Sequence, residues 1–122
     1  MTSRSKYHSK KITRDGITFD SIKEYQRYCE LSLLEKAGAI TDLQRQVKYV
    51  LLPAQYRQFF DKKAHRWKNR CVEREVCYIA DFVFKDSNGV VHVEDTKGFK
   101  TRDFVIKRKL MLYIHNIQIE ET

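Results

Sequence analysis

The stretch that decides the fold runs from Tyr78 to Gly98 and reads YIADFVFKDSNGVVHVEDTKG. It contains two apolar, β-rich runs on either side of a polar segment, Lys85–Gly89, which includes an Asn-Gly pair. A short polar segment with Asn-Gly between two such runs is a strong signal for a β-hairpin. The sequence therefore predicts two antiparallel strands joined by a short turn.

Asp81 is the one charged residue within the first of these two runs. Burying a lone carboxylate is costly unless it is paired, hydrogen-bonded or bound to a metal. Because side chains alternate along a strand, Asp95 and Lys97 should share one face of the second run, while Glu94 takes the other. The same rule predicts that Asp81 lies on the face opposite to Tyr78, Ala80, Phe82 and Phe84.

The acidic residues of the hairpin have two interpretations. Two carboxylates that converge on one point form a hard, oxygen-lined site suited to Mg²⁺, and a lysine on the same face can hold a water or a phosphate oxygen. That is the chemistry of metal-assisted phosphodiester hydrolysis. The alternative is a buried ion pair between Asp81 and Lys97, with Asp95 merely ending a strand. We favour the metal site and keep the ion pair open.

The pattern of Asp81 followed, after a hairpin, by Asp95-Thr96-Lys97 resembles the core of the PD-(D/E)XK nuclease superfamily. The two runs are most similar to those of small phage-borne proteins called endonucleases or Holliday-junction-resolvase-like proteins. The similarity covers nearly the whole chain, from the turn at Asp15-Gly16 to the last strand. The sequence departs from the pattern at Ala80, where the superfamily has a proline.

The resemblance implies an α+β (α/β) fold with a restriction-endonuclease-like core of order α-β-β-β-α-β. This core is a mixed four-stranded sheet flanked by helices, here preceded by an N-terminal hairpin. The implied function is a divalent-metal-dependent DNA endonuclease that uses Mg²⁺, with Mn²⁺ able to substitute. Branched DNA in phage recombination or DNA processing is a candidate substrate. The alternative is a catalytically inactive nucleic-acid-binding protein with the same fold.

The resemblance also assigns roles to individual residues. It implies metal ligation by Asp81, Asp95, the backbone carbonyl of Thr96 and, directly or through water, Glu24. Lys97 would orient the attacking water, help to deprotonate it, and stabilise charge on the phosphate. Gln46 resembles a glutamine that points toward the active site in several of these nucleases, although it is equally an ordinary polar strand residue.

Glu24 has a second explanation in the local sequence. Ser21-Ile22-Lys23-Glu24 fits a capping box, in which Ser21 is the N-cap and the Glu24 carboxylate reaches back to its amide. The predicted helix then runs to Gly38, and a core strand follows over residues 42–52. Glu24 is therefore expected to cap the helix, to serve the site, or to do both.

The net charge is +8, from 24 Lys and Arg against 16 Asp and Glu. A basic domain suggests a polyanionic partner, with nucleic acid first and a membrane surface second. We expect DNA contacts from two basic groups of residues. The first contains Lys62, Lys63, Arg66, Lys68 and Arg70, and the second contains Lys100, Arg102, Lys107 and Lys109.

The chain, residues 1–122, is expected to form one domain with a flexible basic tail over residues 1–11. Residues 55–75 interleave aromatic and basic residues, which suits stacking and phosphate contacts on nucleic acid. This basic and aromatic hairpin or loop extension suits equally well a hairpin whose aromatics pack on the body. A second helix is predicted from Thr101 to about His115, with a last strand at Ile117–Ile119.

The three cysteines have no Cys-x-x-Cys spacing and are odd in number. They indicate reduced, mostly buried residues of a cytoplasmic protein, in the host cytoplasm for a phage-encoded one. No apolar stretch approaches the length of a membrane span, so no membrane association is expected. A homodimer is left open, because cutting two strands of a junction in concert favours a symmetric dimer.

Overall fold

The computed structural model describes residues 10–96 and 99–122 of the chain. Lys97, Gly98 and most of the predicted tail therefore lie outside the described residues. Two helices, α1 (Ile22–Lys36) and α2 (Arg102–His115), accompany eight strands. The strands are β1 (Ile12–Arg14), β2 (Ile17–Phe19), β3 (Ile40–Leu52), β4 (Gln55–Asp61), β5 (Arg66–Glu73), β6 (Val76–Asp86), β7 (Val91–Asp95) and β8 (Glu120–Glu121).

The central sheet has the strand order β3-β6-β7-β8. Both β3 and β7 pair with β6 in the antiparallel sense, while β8 runs parallel to β7. The predicted α+β class, with a mixed four-stranded sheet and two helices, is therefore confirmed. The last strand was predicted at Ile117–Ile119, but the chain joins the sheet only at Glu120 and Glu121, beside Glu94 and Asp95.

The short elements follow from local sequence signals. β1 and β2 form the predicted N-terminal hairpin, and Asp15 and Gly16 both take positive φ angles of 52° and 77°. Such angles suit the right-handed twist of the two strands, and glycine and aspartate tolerate them. α2 begins after its N-cap Thr101 and ends at His115, as predicted.

α1 begins after Ser21, whose hydroxyl accepts a hydrogen bond from the Glu24 amide at 3.1 Å. The Glu24 carboxylate also reaches back, but it accepts from the amide of Asp20 at 2.9 Å rather than from that of Ser21. The helix ends at Lys36, and Gly38 has a positive φ of 80°. The capping prediction for Glu24 is thus confirmed with a shift of one residue in its partner.

Two apolar clusters fill the two sides of the sheet. One contains Tyr78 and Ala80 of β6 with Phe104 and Met111 of α2. The other contains Phe82 and Phe84 of β6 with Leu31 of α1, and Tyr28 packs against it. The prediction that Tyr78, Ala80, Phe82 and Phe84 share one face is therefore wrong.

The change of side on β6 occurs at Asp81, between Ala80 and Phe82. On β3, Arg45 pairs with Phe82 and Val47 with Ala80, so Gln46 lies opposite Asp81. Gln46 has a positive φ of 53°, a left-handed conformation that interrupts the regular alternation of a strand. The sheet thus switches faces at the position of Gln46 and Asp81.

β4 and β5 form a separate two-stranded antiparallel sheet, which we call the ribbon (Gln55–Glu73). It is inserted between β3 and β6, within the segment predicted as a hairpin or loop extension. Its aromatic side chains are exposed, with Tyr56 at 56% and Trp67 at 66%. The expectation that the aromatics of this segment pack on the body is therefore wrong.

Two further observations concern the cysteines and the helices. Cys71 is exposed while Cys29 and Cys77 are half-buried, so the expectation of mostly buried cysteines is wrong; all three are free thiols. Across residues 10–96 and 99–122, neither helix has the length and apolar character needed to cross a bilayer.

Candidate active site

Asp81 connects three strands at the position where the sheet changes sides. Its Oδ2 atom accepts hydrogen bonds from the backbone N–H of Thr96 at 2.9 Å and from the Thr96 hydroxyl at 3.0 Å. Its Oδ1 atom lies 3.5 Å from the Gln46 side-chain amide nitrogen, at the outer limit for a hydrogen bond. Asp81 is half-buried.

Glu24 is the second carboxylate of the site and is almost fully buried, at 2% exposure. Its Oε1 atom accepts from the Gln46 amide at 3.0 Å and from Arg45 at 3.4 Å. Its Oε2 atom accepts from the amide of Asp20. The side-chain amide nitrogen of Gln46 is therefore shared between the carboxylates of Glu24 and Asp81.

The surroundings of Glu24 make its ionised form costly. Burial raises the pKa of Glu24 above its ordinary range, and the hydrogen bond from the Asp20 amide opposes this shift. The charges of Asp81 and Asp20 raise the pKa further, while the Arg45 guanidinium lowers it. The protonated form of Glu24 is thus favoured more than it is in an exposed glutamate.

Arg45 is a site residue that sequence reasoning missed. Its guanidinium lies over the ring of Phe19 at 4.3 Å and near that of Tyr28 at 5.7 Å. This stacking holds the cation beside the buried Glu24 carboxylate. No local sequence pattern predicts this role of Arg45, because the arrangement forms only when α1 and β2 pack over β3.

Asp95 is fully buried at the end of β7. Its Oδ2 atom accepts a hydrogen bond of 2.6 Å from the hydroxyl of Tyr78. Burial and this hydrogen bond raise the pKa of Tyr78 well above its usual range, and the charge of Asp81 adds to the shift. Tyr78 was also missed, although a buried tyrosine hydroxyl generally requires a polar partner.

Register brings the two aspartates of the hairpin together. The paired positions of β6 and β7 end at Phe82 and Glu94, so Asp81 and Asp95 are the next residues along the two strands. Asp95 and Asp81 also act together on Tyr78.

Glu94 lies on the other side of the sheet from Asp95. Its two carboxylate oxygens accept from Nε and Nη2 of Arg27 at 2.7 and 2.6 Å. Arg27 also pairs with Glu30 at 2.9 Å, and the hydrogen bond to Glu94 raises the pKa of the Arg27 guanidinium. The carboxylate of Glu94 is therefore occupied by an arginine, as expected for a residue outside the metal-ligand set.

The structure thus brings Glu24, Gln46, Asp81 and Thr96 into one hydrogen-bonded group, with Asp95 beside it. Lys97, predicted to orient the attacking water, lies outside the described residues. The Thr96 backbone, predicted to offer its carbonyl, is held against Asp81 through its N–H.

The predicted DNA-binding residues fall in two places. On the ribbon, Lys62, Lys63, Arg66 and Arg70 are exposed, and Lys68 pairs with Asp61 at 2.6 Å. In and before α2, Arg102 and Lys109 are exposed, and Lys100 pairs with Glu121 at 2.9 Å. Lys107 is half-buried and lines a cavity of about 260 Å³ with Tyr78, Asp103 and Phe104.

The donor atoms of the site suit a hard divalent cation. Asp81, Asp95 and Glu24 supply carboxylate oxygens, which are the ligands Mg²⁺ prefers. Within residues 10–96 and 99–122, however, no group of three or more His, Cys, Asp or Glu side chains is placed to hold a metal ion. The Gln46 amide lies between the carboxylates of Glu24 and Asp81, which leaves Asp81 and Asp95 as the two ligands that fit best.

Comparison with known families gives one result. A family described as "Protein of unknown function (DUF1064)" matches residues 4–120. The chain belongs to this family. Neither the curated proteins nor the solved structures contain a match. The family description names no activity, so the function has to be argued from the site itself.

Proposed function

We propose that the chain is a divalent-metal-dependent DNA endonuclease of the PD-(D/E)XK type, which hydrolyses phosphodiester bonds. The observation that carries this proposal is the position of Asp81. This half-buried carboxylate lies near a second aspartate, Asp95, and is linked through Gln46 to a buried glutamate on α1. In a chain with a net charge of +8, three carboxylates grouped in this way are typical of a functional site.

The order of the elements also supports the proposal. Without the ribbon and the N-terminal hairpin, the chain runs α1-β3-β6-β7-α2-β8. This is the α-β-β-β-α-β order expected of a restriction-endonuclease-like core. The resemblance implies acidic residues on the first helix and on the second and third core strands; Glu24 lies on α1, Asp81 on β6 and Asp95 on β7.

In this proposal Asp81, Asp95 and the carbonyl of Thr96 would hold Mg²⁺ or Mn²⁺. A bound ion of this kind would supply Lewis-acid activation of a phosphate oxygen and of a water. The chain contributes by holding the ligands in place before the substrate arrives: Tyr78 orients the Asp95 carboxylate, and the Thr96 backbone and hydroxyl orient that of Asp81. Lys97 would position the attacking water and offset charge on the phosphate.

Glu24 has a different role in this arrangement. Both of its carboxylate oxygens are engaged by protein groups, namely Asp20, Gln46 and Arg45. It therefore acts by fixing the Gln46 amide next to Asp81 and by adding negative charge close to the cation. Direct or water-mediated ligation by Glu24 remains a prediction from the resemblance, as do a branched substrate and a homodimer.

The test is cleavage of labelled linear and branched DNA with Mg²⁺ or Mn²⁺, with EDTA as the blank. Asp81→Asn keeps the shape of the side chain but removes its charge, and we expect it to lower the single-turnover rate by about a thousandfold or more. Asp42→Asn changes an exposed aspartate of β3 in the same way and should leave the rate unchanged.

The cleavage rates can be compared only if the variant is folded. Circular dichroism should show that Asp81→Asn keeps the fold, and Mg²⁺ should raise the melting temperature of the parent protein but not of this variant. Cleavage by Asp81→Asn within a few-fold of the parent would reject the proposal. DNA binding without cleavage under any metal condition would instead favour the inactive nucleic-acid-binding protein.

A further inference from the structure

The ribbon has two chemically different faces. Cross-strand partners share a face and successive pairs alternate, so the register of β4 and β5 sorts their side chains into two sets. The uncharged face carries Tyr56, Gln58, Phe60, Trp67, Asn69 and Cys71. The cationic face carries Arg57, Phe59, Asp61, Arg66, Lys68 and Arg70.

The uncharged face has an explanation within the ribbon itself. Phe60 and Trp67 are cross-strand partners whose rings meet edge to face, with centroids 5.6 Å apart. Aromatic cross-strand pairs stabilise antiparallel strands, and a two-stranded sheet without a covering layer is otherwise marginal in water. The aromatic residues of this face therefore hold the ribbon together.

The cationic face has no comparable explanation. Arg57 lies directly opposite Arg70, and like charges in this position destabilise a strand pair. Lys68 is neutralised by Asp61, and Arg70 lies over the ring of Phe59 at 5.6 Å. Within the described parts of the chain, Arg57, Arg66 and Arg70 make no ion pair with a carboxylate. Three arginines thus share a small surface whose repulsion an external anion would relieve.

We propose that the cationic face of the ribbon binds the phosphate backbone of double-stranded DNA next to the cleavage site. The identity of the anion as DNA rests on the proposed function. Duplex DNA fits because a two-stranded ribbon matches the width of the major groove and phosphates line both of its edges. Unpaired bases would instead need the uncharged face, where Phe60 and Trp67 are already packed on each other.

The position of the ribbon along the chain sets its reach. β6 runs from Val76, next to the ribbon, to Asp81, and these five steps span at most about 17 Å at the rise of a strand. The seven residues of β4 add at most about 23 Å. The cationic face should therefore contact DNA within about 12 base pairs of the scissile phosphate, at about 3.4 Å per pair.

The first experiment measures binding of the full chain to labelled duplex DNA without divalent metal, so that the result does not depend on cleavage. The double variant Arg57→Gln with Arg70→Gln removes two phosphate contacts. We expect affinity to fall by about tenfold to a hundredfold near 0.1 M salt, and the slope of log affinity against log salt to fall by about two.

A charge-matched control separates a specific contact from a general loss of charge. Lys36→Gln with Lys85→Gln also removes two exposed cations, but at the other end of the sheet, where Thr41 pairs with Lys85. We expect this variant to keep most of the affinity. Equal losses in the two double variants, or no loss in the ribbon variant, would overturn the proposal.

The second experiment asks which face touches DNA. Trp67 is the only tryptophan in the chain and lies on the uncharged face with 66% exposure. Its emission reports whether the ribbon stays folded in each variant, and its quenching by acrylamide should be unchanged when duplex is bound. Strong protection of Trp67 by DNA, or tighter binding of a single strand than of a duplex, would overturn the assignment of the cationic face.

These outcomes are distinct from those for the endonuclease itself. One outcome is that the ribbon variant loses duplex binding, the control variant keeps it, and the parent protein does not cleave DNA. This outcome would support DNA binding by the cationic face and reject the catalytic proposal. Cleavage that depends on Asp81, with no effect of the ribbon variant on binding, would do the reverse.

Discussion

β6 and the ribbon both carry aromatic side chains, which are buried in β6 and exposed in the ribbon. Each contains several aromatic residues, yet Phe82 of β6 is fully buried whereas Trp67 of the ribbon is 66% exposed. The reason is that α1 and α2 cover the two sides of the central sheet, while the ribbon is a separate sheet of only two strands. Alternation therefore predicts which residues share a face, but not whether another layer covers that face.

The charged residues of the two regions differ in whether they have partners within the chain. Around the site, Glu94 is held by Arg27, Asp81 by Thr96 and Asp95 by Tyr78. On the ribbon, Arg57 and Arg70 face each other as like charges. At the site, contacts within the chain orient the carboxylates. On the ribbon, we propose that DNA supplies the negative charge that the arginines lack.

Removing one aromatic side chain from each region is the strongest test of this comparison. Phe82→Ala should lower the free energy of unfolding by about 3–5 kcal/mol, because it leaves a cavity under α1. Trp67→Ala should change it by less than about 1 kcal/mol, since its ring is largely exposed. Urea denaturation followed by far-ultraviolet circular dichroism measures both. An equal loss would mean that the ribbon folds as part of the core.

The two neighbouring acids of β7 sharpen the comparison within the site. Glu94→Gln should lower the free energy of unfolding by about 1–3 kcal/mol, because it weakens a buried hydrogen-bonded pair with Arg27. At temperatures where the variant is folded, its cleavage rate should stay close to that of the parent. Asp95→Asn should abolish cleavage, since it changes a proposed ligand.

Glu30→Gln is the matched control for that experiment, because Glu30 pairs with the same Arg27 from an exposed position. Its effect on unfolding should be below about 1 kcal/mol. If Glu94→Gln damages cleavage more than Asp95→Asn does, then the roles of the two faces of β7 have been assigned the wrong way round.

The smallest expected effect is a change in the pH dependence of stability. A carboxyl whose pKa is raised in the folded state favours folding when protonated, so stability should fall as pH rises from the ordinary glutamate range through the raised pKa of Glu24. Glu24→Gln cannot ionise and should flatten this part of the profile. Thermal denaturation at a series of pH values, taken as the difference between parent and variant, measures the effect.

The profile of the variant is subtracted from that of the parent because His92 also makes stability fall at higher pH. Its hydrogen bond to Asp86 raises the pKa of His92, and that stabilisation is lost when the imidazole deprotonates. Mg²⁺ should oppose the decline due to Glu24, because a cation near the site favours the ionised carboxylate. If the parent and Glu24→Gln have the same profile, the burial of Glu24 has no energetic consequence.

The sequence alone determined those parts of the protein that depend on near neighbours in the chain. Ser21 and Thr101 as helix N-caps, the turn at Asp15-Gly16 and the hairpin around Lys85–Gly89 were all predictable. Each is formed by hydrogen bonds or backbone angles within a few residues, so the residue types suffice to specify it. The separation of Glu94 from Asp95 belongs to the same class, because it requires only the alternation of one strand.

Tertiary structure decided everything that depends on how layers pack. The switch of faces at Asp81 lies opposite the left-handed Gln46 on a different strand, and the cation beside Glu24 needs Arg45 to lie over the ring of Phe19. In residues 10–96 and 99–122 no helix covers Trp67, and its exposure likewise follows from this and not from its neighbours in the chain. Burial and charge pairing join residues that are far apart in sequence, so residue types and spacing can suggest such contacts, but only the packed fold determines which of them form.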